Sequence, residues 1–509
     1  MHTNWKRVVI CLLALLMALS TVACGTGGTT GTTGSGEPGE TLDNTDREPV
    51  TITFGGWGDY FLLVEQCEAF MKKYPWITVE VVKPVGQDWY TQDLIQLAAI
   101  GEMPDVFNIT DLPSAMQNEW CLDITDYFHD DPESASYPEW MLPYCESNGR
   151  LYTLISTLYV DLVEVNTDIL DENNITIPEY DWTVDEWASI LRNTSVKGET
   201  LGTGDMYRYL QWLPAQMGNP DIAYYCYNTA TGKFEFGDEF IETVNILRDL
   251  INDEVAIYNT MDRVVGITTD GVDAAQQEAI EAARFDYMQS NYGSTDNFWV
   301  KGLLAMETGS SWALNWDTFN ANIYTGFDWD IYPFPVKNEG DASRVCMLNE
   351  FLAVSATTEH PYESYLLMKY MSYDLDGFEA KVNFMSSYDK KVYMEKYDGL
   401  YSPTSYATTL FIYQMPPSTD ERAIELYERI NPNMDKEGLK WLFSNMNNGG
   451  FLNGVRVIPG HDEIIKIICD TVQHEVVLGN KTAADIAKDL EDRCNQILLD
   501  KRTEYGLNG

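Results

Sequence analysis

The chain is short of histidine, of basic residues and of closely spaced cysteines. Its 509 residues include five histidines. His2 falls in a segment that reads as removable, which leaves His129, His360, His461 and His474. Chemistry built on imidazole is thinly supplied. Neither GxSxG nor HExxH occurs, so two common hydrolase signatures are missing. No CxxC occurs, which excludes zinc-ribbon and thioredoxin-type sites. Lys and Arg number 33 against 79 Asp and Glu, a formal charge of −46. No basic patch with interleaved aromatics is found, and so acidic a surface repels nucleic acid and anionic lipid. The acidity reads as solubility. After the N-terminus no apolar run approaches the ~20 residues of a membrane span.

What is present begins with an address. Lys6 and Arg7 precede an apolar run, Val8–Leu19, and small residues follow. That is the pattern of a secretory signal over 1–23. "STVAC" resembles a bacterial lipobox, which implies lipidation of Cys24 and anchoring to the outer face of a bacterial cell membrane. Plain secretion is the alternative. Residues 24–46 are rich in Gly, Thr and Ser and read as a flexible tether. Removal of 1–23 takes Lys6 and Arg7 with it and leaves the mature chain near −48.

The body is long enough for two or three domains. Seven cysteines remain in it, an odd number, so at least one stays unpaired within the chain. Cys67 has helical spacing from Val64 and Met71 and reads as a buried thiol. Cys121–Cys145 and Cys469–Cys494 are candidate bridges that sequence alone does not decide. "VTITF", "ITVEVV" and "DVFNI" read as strands, with helical "YFLLVEQCEAFMKKYP" and "WYTQDLIQLAAIGE" between them. Strand–helix–strand–helix–strand implies right-handed crossovers and a parallel sheet. Ligands bind beyond the carboxyl ends of such strands, so "GGWGDY" and "NITDLP" are candidate site loops. From Asn193 to about Val300 the pattern is mostly helical, with an aromatic loop, "YRYLQWLPAQMGNPDIAYYCYN". "GLLAMETGSSWALNW" reads as a strand, a Gly turn and a helix start, and "EFLAVSA" as a further strand. Ile464–Leu499 is amphipathic, broken at "LGNKTAA".

These segments resemble, in order and spacing, the extracellular solute-binding proteins of carbohydrate ABC importers, of the sugar-binding family 1 type. The carriers are the opening strand–helix–strand from Val50, "LIQLAAIGEMPDVFNI", "NGRLYTLIS" through "WTVDEW", "GLLAMETGSSW" and "VVLGNKTAADIAKDLEDRCNQIL". "VEVNTD" departs from the family, which has Tyr before this Asn, and the chain is longer around 200–300 and 400–465. The resemblance implies an α/β, two-lobe periplasmic-binding-protein-like fold with three interlobe crossovers. The division it suggests is 47–158 plus 346–400 for the N-terminal lobe and 159–345 plus 401–505 for the C-terminal lobe. A carbohydrate, expected to be an oligosaccharide, would be trapped between the lobes by hinge closure and passed to an ABC permease. A monomer without enzymatic activity, metal or cofactor is expected.

Sugars need aromatic plates and side chains that bond hydroxyls. The candidates are Trp57, Asp59 and Tyr60 after the first strand, and Asn108 and Asp111 after the third. Tyr159 and Asp161 lie at the first crossover, Trp212 in the aromatic loop, Trp312 at the end of the Gly–Ala–Met strand, and Asn349 and Glu350 at the return to the first lobe. The plain readings are helix capping for Asp59 and Asp111, packing for Trp57 and hinge structure for Tyr159 and Asp161. Trp182 and Trp316 read as core, with Asp185 and Glu186 as first-turn helix charges. A secreted glycoside hydrolase, an adhesin or sensor, and a receptor for a non-sugar solute are the alternatives. "DLDG" at Asp374–Gly377 resembles the start of a calcium loop but lacks the rest of its spacing.

Overall fold

Short β-branched runs open the fold. Val50–Gly55 (β1) pairs in parallel with Ile77–Val81 (β2) and Val106–Ile109 (β3), giving the order β2-β1-β3. Helices Tyr60–Lys73 and Thr91–Ile100 make the crossovers. The first buries Phe61, Cys67 and Phe70 at helical spacing and carries Lys72 and Lys73 in its last turn, where the helix dipole favours cations. The computed structural model describes residues 47–57, 60–82, 91–267, 273–295, 297–314, 327–387, 392, 414–429, 436–452, 454 and 457–507. The signal, Cys24, the tether, Asp59 and Trp316 lie outside the described residues.

Thr153–Asn166 (β4) is the longest strand, and every residue in it is buried. Leu201–Thr203 (β5), Leu304–Ser310 (β6), Trp329–Tyr332 (β7), Cys346–Val354 (β8) and Phe451–Leu452 (β9) complete the nine-stranded sheet among the described residues. Its order is β2-β1-β3-β8-β4-β6-β5, with β7 also on β4 and β9 on β8. The first half of β4 pairs antiparallel with β8, and the second half pairs antiparallel with β6 and β7. Gly309 lies inside β6 rather than in the turn expected from the sequence.

Two hydrophobic cores follow from this sheet. Their boundary falls within β4, since Leu162 packs in the first core and Val163 in the second. The cores also meet at the start of β8, where Val345 and Met347 pack in the first and Cys346 in the second, and at β9, where Leu452 packs in the first and Phe451 in the second. Residues 401–505, expected together in the second lobe, contribute side chains to both cores. Met415, Leu426, Leu439 and Phe443 pack in the first core, whereas Ile464 to Leu498 pack in the second. The cause is partly electrostatic: Arg422 and Arg429 bond Glu379, tying helix Arg422–Glu428 to helix Leu375–Ser387. Helix Glu437–Ser444 approaches β7 so closely that a Cβ on Gly438 would lie 1.5 Å from the Ile331 carbonyl oxygen. A smaller cluster of Leu201, Ile257, Met261, Phe298, Trp299 and Leu304 organises the 200–300 region.

All seven body cysteines are free thiols, so neither candidate bridge forms. Burial pushes Cys145 and Cys469 up to about 11 and Cys121 and Cys494 up to about 12. The "DLDG" carboxylates of Asp374 and Asp376 both accept from the Lys73 ammonium, at 2.7 and 2.8 Å.

Candidate functional site

The candidate site forms where β4 passes from one core to the other. Antiparallel pairing sets Asp161 opposite Ser310, the last residue of β6. The chain then tightens into the 3-10 turn Ser311–Ala313. The Ser311 hydroxyl accepts from the Val160 N–H at 3.1 Å, fixing that turn against β4. Trp312 projects from it with 48% of its surface exposed. An exposed indole two residues past the strand partner of a buried carboxyl suits a ligand with apolar faces and a polar rim.

Asp161 is almost fully buried. Burial pushes its carboxyl up to about 6, opposed by the Ser310 hydroxyl, the Arg208 guanidinium and the Trp212 indole. Trp212 does not form the open plate expected of it. It lies fully buried in the second core, with ring centroids 4.8 Å from Tyr224 and 5.2 Å from Phe451. Its N–H lacks a well-formed hydrogen bond among the described residues, although Asp161 is the acid it faces. Its role is to back the carboxyl, not to meet solvent.

On the β8 side, the Tyr159 hydroxyl donates to Glu350 Oε1 at 3.1 Å. The β4–β8 register shifts between Glu350 and Phe351, and such irregularities re-aim side chains. Asn349 is buried beside them, and its amide nitrogen has no hydrogen bond among the described residues.

The first-lobe loops are held by structural bonds. Asn108 accepts from the Trp57 N–H through Oδ1 at 2.9 Å and donates through Nδ2 to the Phe351 carbonyl at 2.9 Å. It therefore ties the turn after β1 to β8. Trp57 is half-buried against the first core. Asp111 caps helix Leu112–Gln117, accepting from the Ser114 N–H at 2.7 Å. Tyr60 begins the helix that follows the β1 turn. Tyr159, Asp161, Asn349, Glu350 and Trp312 thus converge on the β8-β4-β6 ladder, Trp57 is joined to it through Asn108, and Asp111 is spent on a cap.

Sequence reasoning passed over Arg208 and Arg344. Arg208 is exposed and acts on Asp161 and Asp205 through its charge. Its signal was its isolation: a cation in an aromatic loop of an acidic chain. Arg344 lies with its guanidinium 4.4 Å from the Phe451 ring centroid and donates to the Ala215 and Ile222 carbonyls at 3.0 and 2.6 Å. It binds the segment leading into β8 to the aromatic loop and to β9. Nothing in "DASRVCM" marked it. Among the described residues, no cluster of three or more His, Cys, Asp or Glu is placed to hold a metal ion, and no helix is long and apolar enough to cross a membrane.

Comparison with known proteins fits this geometry. The chain is similar to an ABC substrate-binding protein from Listeria monocytogenes solved with cycloalternan: 16% identity, 88% of this chain and 99% of that one, TM-score 0.58. It is similar to the sugar-binding protein MalE from Xanthomonas citri: 14% identity, 90% and 100% coverage, TM-score 0.59. The GacH receptor of Streptomyces glaucescens, solved unliganded and with acarbose, shares 16% identity over 89% of this chain and 100% of its own, TM-score 0.56. These likenesses establish the two-lobe α/β fold. A family model described as bacterial extracellular solute-binding protein matches residues 58–372, more than half of the chain. The protein with its interleaved cores therefore belongs to the bacterial extracellular solute-binding proteins.

Proposed function

We propose that this chain captures a carbohydrate, an oligosaccharide in particular, between its two lobes and delivers it to an ABC permease without altering it. The observation that carries this reading is the exposed indole of Trp312 in the turn after β6, two residues past Ser310, the partner of Asp161. Trp312 supplies the plate. Tyr159, Asp161, Asn349 and Glu350 supply the bonds to hydroxyls, and Trp57, Asp59 and Tyr60 are the further ligand contacts in this reading. Asn108 and Trp212 position these groups, and Asp111 caps its helix. Similar folds solved with cycloalternan and with acarbose support the substrate class. In this reading residues 1–23 are a signal peptide, and the mature protein is a monomer held to the outer face of the membrane through lipidated Cys24 and its tether.

The test is calorimetric titration of mono- and oligosaccharides, with the mixtures assayed afterwards for new reducing ends. Saturable binding at one site without product is the expected outcome. Product without stable binding overturns it in favour of a glycoside hydrolase. Binding of a non-sugar solute alone overturns the ligand class. Labelled palmitate should enter the full chain and not its Cys24→Ser variant.

A further inference from the structure

Arg208 is turned away from the second core by its neighbours. It lies in the short helix Tyr207–Leu210. The start of that helix is pinned by side chains: Asp205 Oδ1 accepts from the Tyr207 N–H at 2.9 Å, and Asn259 Oδ1 accepts from the Met206 N–H at 2.8 Å. Tyr209 points inward, its ring against Trp187 and Phe334. Arg208 is exposed. The turn then closes with the Trp212 N–H on the Tyr209 carbonyl at 3.3 Å. Arg208 thus stands one turn before Trp212, the indole that backs Asp161, and residues four apart on such a turn share a side. This placement brings a cation to the edge of the candidate site, and its charge reaches Asp161.

The guanidinium is unspent. Among the described residues it makes neither a hydrogen bond nor an ion pair. Asp161 and Asp205 feel its charge without bonding it, and Asp205 Oδ1 is already taken by the Tyr207 N–H and the Asn259 amide. Other arginines of the second lobe are spent on the fold: Arg192 bonds Asp253, Arg284 bonds Asp262 and Arg502 bonds the Gly232 carbonyl. With 79 acidic residues against 33 basic ones, an acid partner is easily supplied. An arginine at the site that has none keeps its donors for a ligand.

A guanidinium is a planar fork of N–H donors that matches a carboxylate two bonds at a time. A neutral sugar hydroxyl uses one of those donors and none of the charge. Resting on the reading that this site takes an oligosaccharide, we propose that the ligand carries one uronate unit and that Arg208 binds its carboxylate. One unspent guanidinium matches one carboxylate. The strongly negative surface repels a ligand that carries many, so the remaining units of the oligosaccharide are neutral.

The probes are matched pairs: short oligosaccharides carrying one glucuronate or galacturonate, each beside its carboxyl-reduced neutral counterpart, titrated by calorimetry. The expected result is a pair whose uronate form binds about tenfold or more tightly than the neutral form. Arg208→Gln should erase that difference, and Arg208→Lys, which keeps the charge but not the fork, should leave part of it. If the Gln variant does not fold, salt decides in the native protein, where the uronate advantage should shrink as NaCl is raised. An advantage indifferent to salt, or one that survives Arg208→Gln, overturns the proposal. Neutral forms that bind as tightly as their uronate partners overturn it and leave the carbohydrate reading standing. Silence across every pair overturns both.

Discussion

The half of the sheet built from β1, β2 and β3 packs helices onto short parallel strands, whereas the half carrying β5, β6 and β7 packs against an aromatic cluster drawn from helices, strands and loops. In the first, Ile52, Phe54, Val106 and Phe107 lie under helices of ordinary amphipathic pattern. In the second, Trp187, Tyr209, Trp212, Phe334 and Phe451 are joined by tilted and edge-on ring contacts, and Trp182 packs on Tyr332. The difference teaches that an aromatic-rich loop is not by itself a sugar platform. Trp212 and Trp312 both stood as ligand plates. One is fully buried and the other 48% exposed, because Trp212 is hemmed in by Tyr224, Phe334 and Phe451 while Trp312 sits on a tight turn.

The contrast can be broken most forcefully at Trp212. Trp212→Ala should remove ~3–5 kcal/mol of stability, read by urea unfolding, because the cavity left in the second core cannot collapse. A loss below ~1 kcal/mol would mean that the aromatic cluster is dispensable.

Asp161 comes next. The folded chain holds its proton up to about pH 6, while the unfolded chain releases it near ~3.9. The folded state therefore binds more protons in this window, and stability falls as pH rises from about 4 to 6, by roughly 2–3 kcal/mol. Asp161→Asn should flatten that part of the stability–pH curve. Asp262, also raised to about 6 by burial, keeps its own share of the slope in the variant.

Trp312→Ala should do the reverse of Trp212→Ala. Sugar affinity should drop about tenfold or more in calorimetry, with stability changed by less than ~0.5 kcal/mol. Equal effects of the two substitutions on both readouts would erase the distinction. The smallest effect belongs to Asp111→Ala, which should lower stability by ~1 kcal/mol through loss of the cap and leave affinity almost unchanged.

The first half was legible because its elements are sequential. Alternating Val, Ile and Thr marked β1 and β2, and helical spacing marked Tyr60–Lys73. "WTVDEW" also read correctly. Trp182 is buried, and Thr183 with Glu186 forms a capping box on helix Val184–Thr194. The placement of Tyr159 and Asp161 near Asn349 and Glu350 was legible, since they lie on two strands that pair. The site was not legible where long-range packing decides exposure. Asn108 looks like a ligand amide in sequence, yet Phe351, 243 residues away, takes its donor. The assignment of Met415 to Phe443 to the first core depends likewise on ion pairs that no local pattern encodes.

The interleaving of the two cores has a consequence for biogenesis. The first core draws on Leu452 and the second on Leu498. β4 is covered only after β6, β7 and β8 exist. A nascent chain that has emerged as far as β4 therefore carries a 14-residue strand with no partner on either edge. Pairings this distant in sequence form slowly. For an exported protein the delay is useful: the polypeptide stays threadable until its last helix is made, and both lobes mature together on the far side of the membrane.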